Sequence, residues 1–449
     1  MARQSDGINV AALIENQKLS RFQIIVIILA SAIMAIEGYD MQVLAYAAPA
    51  IIKEWGVSKA YFGPVFGFGL FGYMLGATLL ASLSDRWGRK KLIIAGLLFF
   101  GLFTFAAAYS ASLNDLLILR FIAGLGLGAS IPTVIALAAE YMPSRFRATA
   151  IGLMFIGYNI GAAGGGFIAA KFIPSFGWPS VFQLGGIVPA LLAFTLIFAL
   201  PESIRFLVLK GGRRERISAL LGRLAPSQIF DPGSKFILSE ENQRGLPVKH
   251  LFTDGRAIMT SLLWLAFVAS LMGHYFLTSW LPTVLFDAGV PLAHAVIATA
   301  LLHVGGIVGS LLVGRLLDKH GIVAVAVAFA IAVPLTVLIG AVGTSEMLLM
   351  TLVFLSGVCL LGGQVGLNAV SGSVYPTYIR STGAGWAFGV GRIGSIIGPV
   401  LGGILISLKP PDLLLFAYAA IPILLCTGAT YLLSRSRGAL RRTEVPATN

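Results

Sequence analysis

Two carboxylates, Glu37 and Asp40, lie three positions apart inside an apolar run that begins at Phe22; the stretch from Ile36 to Pro49 reads I-E-G-Y-D-M-Q-V-L-A-Y-A-A-P. An ionised side chain in hydrocarbon is costly unless it is paired, neutralised or turned to water, so acids in this setting are candidates for taking up and releasing protons. Two arginines, Arg120 and Arg392, occupy other apolar runs. A guanidinium keeps its charge and presents a planar fork that matches a carboxylate, which suits Arg392 to hold an anionic ligand in a low-dielectric site. The other reading of Arg392 is a structural pairing with an acid or with main-chain carbonyls, but no acid lies at an obvious matching depth on a neighbouring run.

The elements that must carry these groups follow from composition. With 449 residues, 57% hydrophobic and only 11% charged, the chain is excluded from the water-soluble globular class and reads as a polytopic membrane protein. Apolar runs of bilayer-crossing length fall near 22–48, 60–83, 91–110, 114–138, 148–170 and 180–200, and again near 257–281, 294–316, 322–342, 346–371, 382–406 and 413–434. Each must be helical, because lipid offers no partner to free main-chain N–H and C=O groups. The expected fold class is therefore all-α, with twelve transmembrane helices.

The net charge of +13 reports orientation rather than a nucleic-acid partner. Most Lys and Arg residues fall in the termini and in alternate loops, among them Arg86, Arg89, Lys90, Lys91, Arg145, Arg147, Arg214 and Arg216, whereas Lys53, Lys59, Lys171 and Lys409 fall on the other side. By the positive-inside rule both termini are cytoplasmic. Residues 1–21 show no cleavable signal peptide and read as a short interfacial helix. Cys359 and Cys426 lie in separate spans and read as apolar packing, making neither a metal cluster nor a disulfide framework.

One offset recurs along the chain. Asp85, Arg86 and Gly88 match Asp318, Lys319 and Gly321, and Pro143, Arg147, Thr149 and Gly152 match Pro376, Arg380, Thr382 and Gly385, each pair 233 positions apart. The chain thus divides into a segment 1–21, a six-helix bundle 22–200, a linker 201–256, a second six-helix bundle 257–434 and a tail 435–449. Repeated halves of this kind are a transporter signature, with the substrate held near the midplane where they meet.

The loop A-S-L-S-D-R-W-G-R-K at 81–90 resembles the major facilitator superfamily signature G-x-x-x-D-R-x-G-R-R, with Ala81 in place of its glycine. Within that superfamily E-G-Y-D-M-Q, R-F-I-A-G-L-G-L-G at 120–128, G-Y-N-I-G-A-A-G-G-G at 157–166, P-E-S-I-R-F-L at 201–207, S-W-L-P-T at 279–283 and G-W-A-F-G-V-G-R-I-G at 385–394 are similar to the aromatic acid:proton symporters. The resemblance implies two pseudo-symmetric bundles in the major facilitator fold, a bacterial inner-membrane location, a monomer, and a benzoate, 4-hydroxybenzoate or protocatechuate type of substrate. It also implies proton-coupling roles for Asp40 and for Glu37, where the family usually has Asp.

Depth gives a separate reading of the same groups. At about 1.5 Å per residue, Glu37 lies roughly 22 Å from the inner start of the first span and Arg120 about 9 Å from the outer start of the fourth. In a core about 30 Å thick these levels coincide. The expectation is an ion pair of Glu37 with Arg120, leaving Asp40, at i+3 on the same helical face, to exchange a proton with the cavity. A fixed pair that only holds the helices together is the alternative. Arg392 lies about 15 Å into its span, and its equivalent under the 233 offset is Asn159.

Ring recognition needs apolar walls and stacking faces. Phe155, Tyr158, Tyr275 and Trp386 lie within spans, with Tyr46 and Trp280 nearer the outer surface, where an interfacial anchor is the competing reading. His303, about 14 Å deep, could donate to a ring hydroxyl, relay a proton or simply pack. Gln364 and Asn368, one turn apart, are further polar candidates. Asp85 with Arg86 and Arg89, and Asp318 with Arg315 and Lys319, read as latches between the halves, with Glu140 and Arg147 extending them, or as solvated charge. The glycines Gly161, Gly164, Gly165 and Gly166 read as close-packing faces that let helices slide, which favours uptake over export.

The expectation is a proton-coupled importer of aromatic carboxylates working by alternating access, with protons as coupling ion and no other cofactor. Bringing one negative charge into a cell at about −100 mV is opposed by about 2.3 kcal/mol, which one co-transported proton cancels. The alternatives are a facilitator-type porter for another organic acid, a polyol or a drug, and a non-transporting membrane receptor. An enzyme is disfavoured, since no metal-spaced His cluster and no nucleophile with an ordered base stands out.

Overall fold

The computed structural model describes residues 7–211, 214–226, 230, 236–238, 248–253, 255–342, 345–375 and 379–444, the side chains of Ser381 and of residues 437–444 excepted. Pro376, one of the repeat positions, lies outside them, as does part of the 201–256 linker. The helices in chain order are α1 (Val10–Asn16), α2 (Arg21–Trp55), α3 (Lys59–Leu75), α4 (Ser84–Trp87), α5 (Arg89–Ala107), α6 (Leu113–Tyr141), α7 (Ser144–Phe176), α8 (Pro179–Ala199), α9 (Ile204–Leu209) and α10 (Arg214–Leu224), followed by α11 (Ala257–Asp287), α12 (Leu292–His320), α13 (Ile322–Ile339), α14 (Glu346–Val374), α15 (Arg380–Ser407) and α16 (Asp412–Glu444). Twelve of these are long and apolar enough to cross a membrane, α3 continuing to α4 through a π turn at Gly76–Leu80 and a 3-10 turn at Ala81–Leu83.

Local chemistry sets the ends. At the start of α2 the Ser20 hydroxyl accepts the Gln23 N–H at 3.3 Å while the Gln23 side chain accepts the Ser20 N–H at 2.8 Å, a reciprocal cap. The helix runs through Pro49 to Gly56, whose left-handed φ of 62° ends it. It therefore extends past the 22–48 stretch expected from hydropathy, because apolar length measures the lipid-buried part and not the turns beyond it.

The packing repeats with the sequence. In the first half α2 packs on α7, α3 and α5 on α6, and α5 on α8; in the second α11 packs on α15, α12 and α13 on α14, and α13 on α16. The halves meet where α3 lies on α15, α7 on α12 and α2 on α11. Two glycines set the depth of the α2–α7 crossing: a Cβ at Gly38 would run into the Tyr158 carbonyl, and one at Gly161 into the Ala35 carbonyl. That close seam holds the helix carrying Glu37 and Asp40 against the one carrying Tyr158 and Asn159.

We call the face where α2 starts the near face and the other the far face. The inter-half contacts are dense toward the far face: Gly63 lies against Pro399 and Val400, Gly166 against Ala300, and the Phe66 ring meets Trp280 edge-on at 5.4 Å. Lys59 and Asp287 form an ion pair there, one from each half. At the near face Ile8–Asn9 pairs in parallel with Phe236–Ile237, and α1 is capped by the Asn9 side chain, which accepts from the N–H groups of Ala11 and Ala12.

Candidate functional site

The midplane charges gather into two clusters, and their pairing corrects the expectation. Arg120 takes Asp40 rather than Glu37: its two terminal nitrogens donate to the Asp40 carboxylate at 3.0 and 2.9 Å, and one also donates to the Asp40 carbonyl at 3.0 Å. The Thr104 hydroxyl, from α5, donates to the same carboxylate at 2.7 Å. Asp40 is wholly buried and Arg120 is 5% exposed, so this is a desolvated ion pair whose acid oxygens are well supplied with donors.

Glu37 faces the other way, toward the second half. It is 4% exposed, and its Oε2 has no hydrogen-bond partner among the described residues. The Tyr73 hydroxyl, from α3, is turned toward it as a donor. The guanidinium of Arg392, from α15, lies over the face of the same Tyr73 ring at 4.3 Å, a cation–π contact. Arg392 thus has an acid neighbour after all. Glu37 is close enough to feel its charge, yet no ion pair joins the two. The expectation of an arginine without an acid at matching depth fails because it compared neighbouring spans within a half, and Glu37 comes from across the interface.

From Arg392 a row of polar side chains crosses the interface. Its Nη1 donates to the Tyr275 hydroxyl at 3.5 Å, and the Tyr275 and Tyr158 hydroxyls face each other. The next residue, Asn159, meets His303 at 3.3 Å between its Oδ1 and the ring Nδ1. His274, which the sequence reading does not single out, stacks on Tyr275 with centroids 5.0 Å apart, and both its nitrogens are buried without a partner among the described residues. An imidazole inside an apolar run carries no spacing signal; only its neighbour Tyr275 points to it. A void of about 20 Å³ lies between Arg120 and Tyr275, room for about one water.

Other candidates fall elsewhere. Gln364 accepts from the Ser270 hydroxyl at 2.7 Å and donates to Asn368 at 3.0 Å, a polar ladder within the second half. Phe155 packs in the first-half core, its carbonyl accepting from the Asn159 amide. Trp386 stacks on Trp264 at 6.0 Å and is 44% exposed, so the structure places it in that stack and not on Arg392. Tyr46 and Trp280 are neither interfacial anchors nor ring-facing groups: both are buried, Tyr46 donating to the Ala162 carbonyl at 2.8 Å and Trp280 to the Pro399 carbonyl at 2.7 Å.

The loop charges also differ from expectation in their partners. Arg89 pairs with Glu140 of its own half, and Glu140 accepts from the Ser203 hydroxyl at 2.6 Å. Arg147 donates to the Ala139 carbonyl at 3.2 Å. Glu202 accepts the N–H groups of Arg89 and Lys90 at the start of α5, an acid at a helix N-terminus, and Gly88, with φ of 98°, leaves room for it. Asp85, Arg86, Arg315, Asp318 and Lys319 are exposed and join no ion pair among the described residues. At the far face, by contrast, Lys59 of one half pairs with Asp287 of the other.

A family model described as the Major Facilitator Superfamily matches residues 30–399. The chain is 36% identical over 431 residues to the 4-hydroxybenzoate transporter PcaK of Pseudomonas aeruginosa, covering 95% of this chain and 96% of that one. It is 36% identical to a gallate transporter of Pseudomonas putida, with 97% of each chain covered, and 34% identical to a benzoate transport protein of Acinetobacter baylyi, with 96% of this chain and 94% of that one covered. Among solved structures, a bacterial homologue of the human lysosomal transporter Spinster, in an inward-facing and occupied conformation, superposes with a TM-score of 0.71 at 16% identity over 92% of this chain and 96% of that one. At that identity the likeness is one of fold.

Proposed function

The chain belongs to the major facilitator superfamily, a transporter and not an enzyme, and from that membership we propose that it imports aromatic carboxylates together with a proton by alternating access. The relatives named for 4-hydroxybenzoate, gallate and benzoate support a ring acid as substrate. The protein works as a monomer in a bacterial inner membrane, since its own two halves enclose the site. Its near face is cytoplasmic, which the basic residues of that face support. Protons are the coupling ion and no other cofactor is needed.

The observation that carries this reading is the placement of Glu37 and Arg392 about one ring, Tyr73. While Glu37 is ionised, it competes electrostatically with a substrate carboxylate for Arg392. Once Glu37 is protonated, Arg392 is left to the substrate, so proton and anion favour each other's binding and travel together. Asp40, held by Arg120 and Thr104, fixes the geometry of α2. This reassigns the proton from Asp40 to Glu37. Tyr158 and Tyr275 supply ring faces beside Arg392.

Proteoliposomes with an imposed pH gradient, offered labelled benzoate, 4-hydroxybenzoate, protocatechuate and a sugar, test it. Gradient-dependent uptake of ring acids but not sugar is expected, lost in Arg392→Ala. No gradient-dependent uptake of any ring acid defeats the proposal.

A further inference from the structure

The row of side chains that leads away from Arg392 ends on an acceptor with nothing to accept. His303 is wholly buried on α12, and its Nδ1 faces the Asn159 Oδ1 at 3.3 Å across the interface between the halves. The orientation of that amide is decided by its other end, because the Asn159 Nδ2 donates to the Phe155 carbonyl at 3.2 Å. Turning the amide over would set two oxygens against each other there. With an oxygen facing it, the His303 Nδ1 must carry the hydrogen, and in a neutral imidazole the Nε2 is then a bare lone pair. That atom is buried and has no partner among the described residues. Gly306, one turn further along α12, lets Asn159 and Leu361 close in beside His303: a Cβ there would lie 3.2 Å from the Asn159 Oδ1 and 2.9 Å from Leu361.

A buried acceptor left empty is penalised, and the penalty is lifted by a donor that arrives with the ligand. A ring hydroxyl is such a donor: neutral, short and rigidly placed opposite or beside a ring carboxylate. We infer that the His303 Nε2 accepts a hydrogen bond from a ring hydroxyl of the transported acid, so that the protein selects hydroxylated ring acids over unsubstituted ones. This rests on the ring-acid reading above and adds to it the second anchor. The carboxylate is held at Arg392, the ring lies along Tyr275 and Tyr158, and the hydroxyl reaches the Asn159–His303 end of the same row. His274, stacked on Tyr275 with two unpartnered nitrogens, stands along that row as a site for a second hydroxyl.

The test is a matched series on the wild-type protein in proteoliposomes: benzoate, 3- and 4-hydroxybenzoate, and the two methoxybenzoates, which keep the oxygen but lack the donor. At least one hydroxy acid is expected to bind about tenfold more tightly than both its methoxy counterpart and benzoate, the worth of one buried hydrogen bond. His303→Asn keeps an amide donor near the Nδ1 position and removes the Nε2 acceptor; it should shrink that gap to about twofold or less. His303→Gln, which can return an oxygen near the Nε2 position, should recover part of the gap. Equal binding of hydroxy and methoxy acids by the wild type overturns the inference without any variant having to fold, as does a gap unchanged in His303→Asn. In both cases ring-acid uptake continues, whereas loss of all ring-acid uptake by the wild type would sink the parent reading instead.

Discussion

Arg120 grips both carboxylate oxygens of Asp40 and its main-chain carbonyl as well, so most of the guanidinium's hydrogen bonds go to a single residue of α2. Both partners are buried, and the acid is further held by Thr104. Only the Arg120 Nε is left without a partner among the described residues, and the pair locks α2 in the rotation about its own axis that its packing on α7 sets. Glu37, three residues earlier, is thereby turned out of the first half and toward Arg392.

Asp40→Asn should therefore be mainly a stability variant. Removing one partner of a buried ion pair leaves the other charge uncompensated, at a cost of about 3–5 kcal/mol. Thermal unfolding in detergent should show a large drop for Asp40→Asn and for Arg120→Gln, with the double variant losing clearly less than the sum. Additive losses would mean that the two side chains do not stabilise each other.

Glu37→Gln should behave in the opposite manner. The amide keeps the volume and can still accept from Tyr73, so the fold should survive with little loss, but the residue can no longer alternate between charged and neutral. Accumulation driven by a pH gradient should vanish while exchange of labelled for unlabelled substrate across the membrane persists. Undiminished accumulation by a stable Glu37→Gln protein would return the proton to another group.

Much of this arrangement was legible in the sequence, and the part that was not has a physical reason. Twelve spans follow from apolar run lengths, and the 233-residue repeat reappears as matching packing in the two halves. Depth counting places Arg120 level with an acid of α2. It cannot choose between Glu37 and Asp40, which differ by about 4.5 Å in height and about 60° around the helix. That choice is made by the glycine seam of α2 on α7, where Gly38 and Gly161 set the rotation, and a seam between distant segments leaves no mark in local spacing. Arg89 and Glu140 were both visible as charges, yet their pairing depends on how α5 and α6 cross. His274 was invisible among its apolar neighbours.

The N-terminal segment should be held at the near face over the whole physiological pH range. The Glu15 carboxylate accepts from the Ser144 hydroxyl and from its N–H at 2.9 Å, while Arg145 donates to the Glu15 and Gln17 carbonyls at 3.2 and 2.6 Å. The Ser144 hydrogen bonds, with Arg147 and Arg145 nearby, hold this carboxyl below its ordinary value. A depressed acid contributes fully above its unfolded value, about 4.3, and loses the contribution as pH falls through the lower folded value. Hydrogen exchange over Val10–Asn16 should accordingly be flat, after correction for intrinsic rates, from pH 8 to pH 5, and rise only in stronger acid. Glu15→Gln should show the raised exchange at neutral pH; a marked loosening of the wild type between pH 7 and pH 5 would contradict the assignment.

The pair of Lys59 with Asp287 should bias the protein toward the state closed at the far face. Lys59 opens α3 in the first half and Asp287 ends α11 in the second, so the contact exists only while the halves are together there. Their side chains are 25% and 41% exposed, which limits the contribution to about 0.2–1 kcal/mol, a shift of a few-fold in the population of the two states. Spin labels at Tyr61 and Met347, exposed residues at the far-face starts of α3 and α14, report the separation of the halves. Lys59→Asp should enlarge the fraction of long distances, as should high salt on the wild type, because exposed charges are screened. Adding Asp287→Lys to Lys59→Asp should bring the short distances back. If the reversed pair stays as open as the single variant, the attraction between these two charges is not what holds the far face shut.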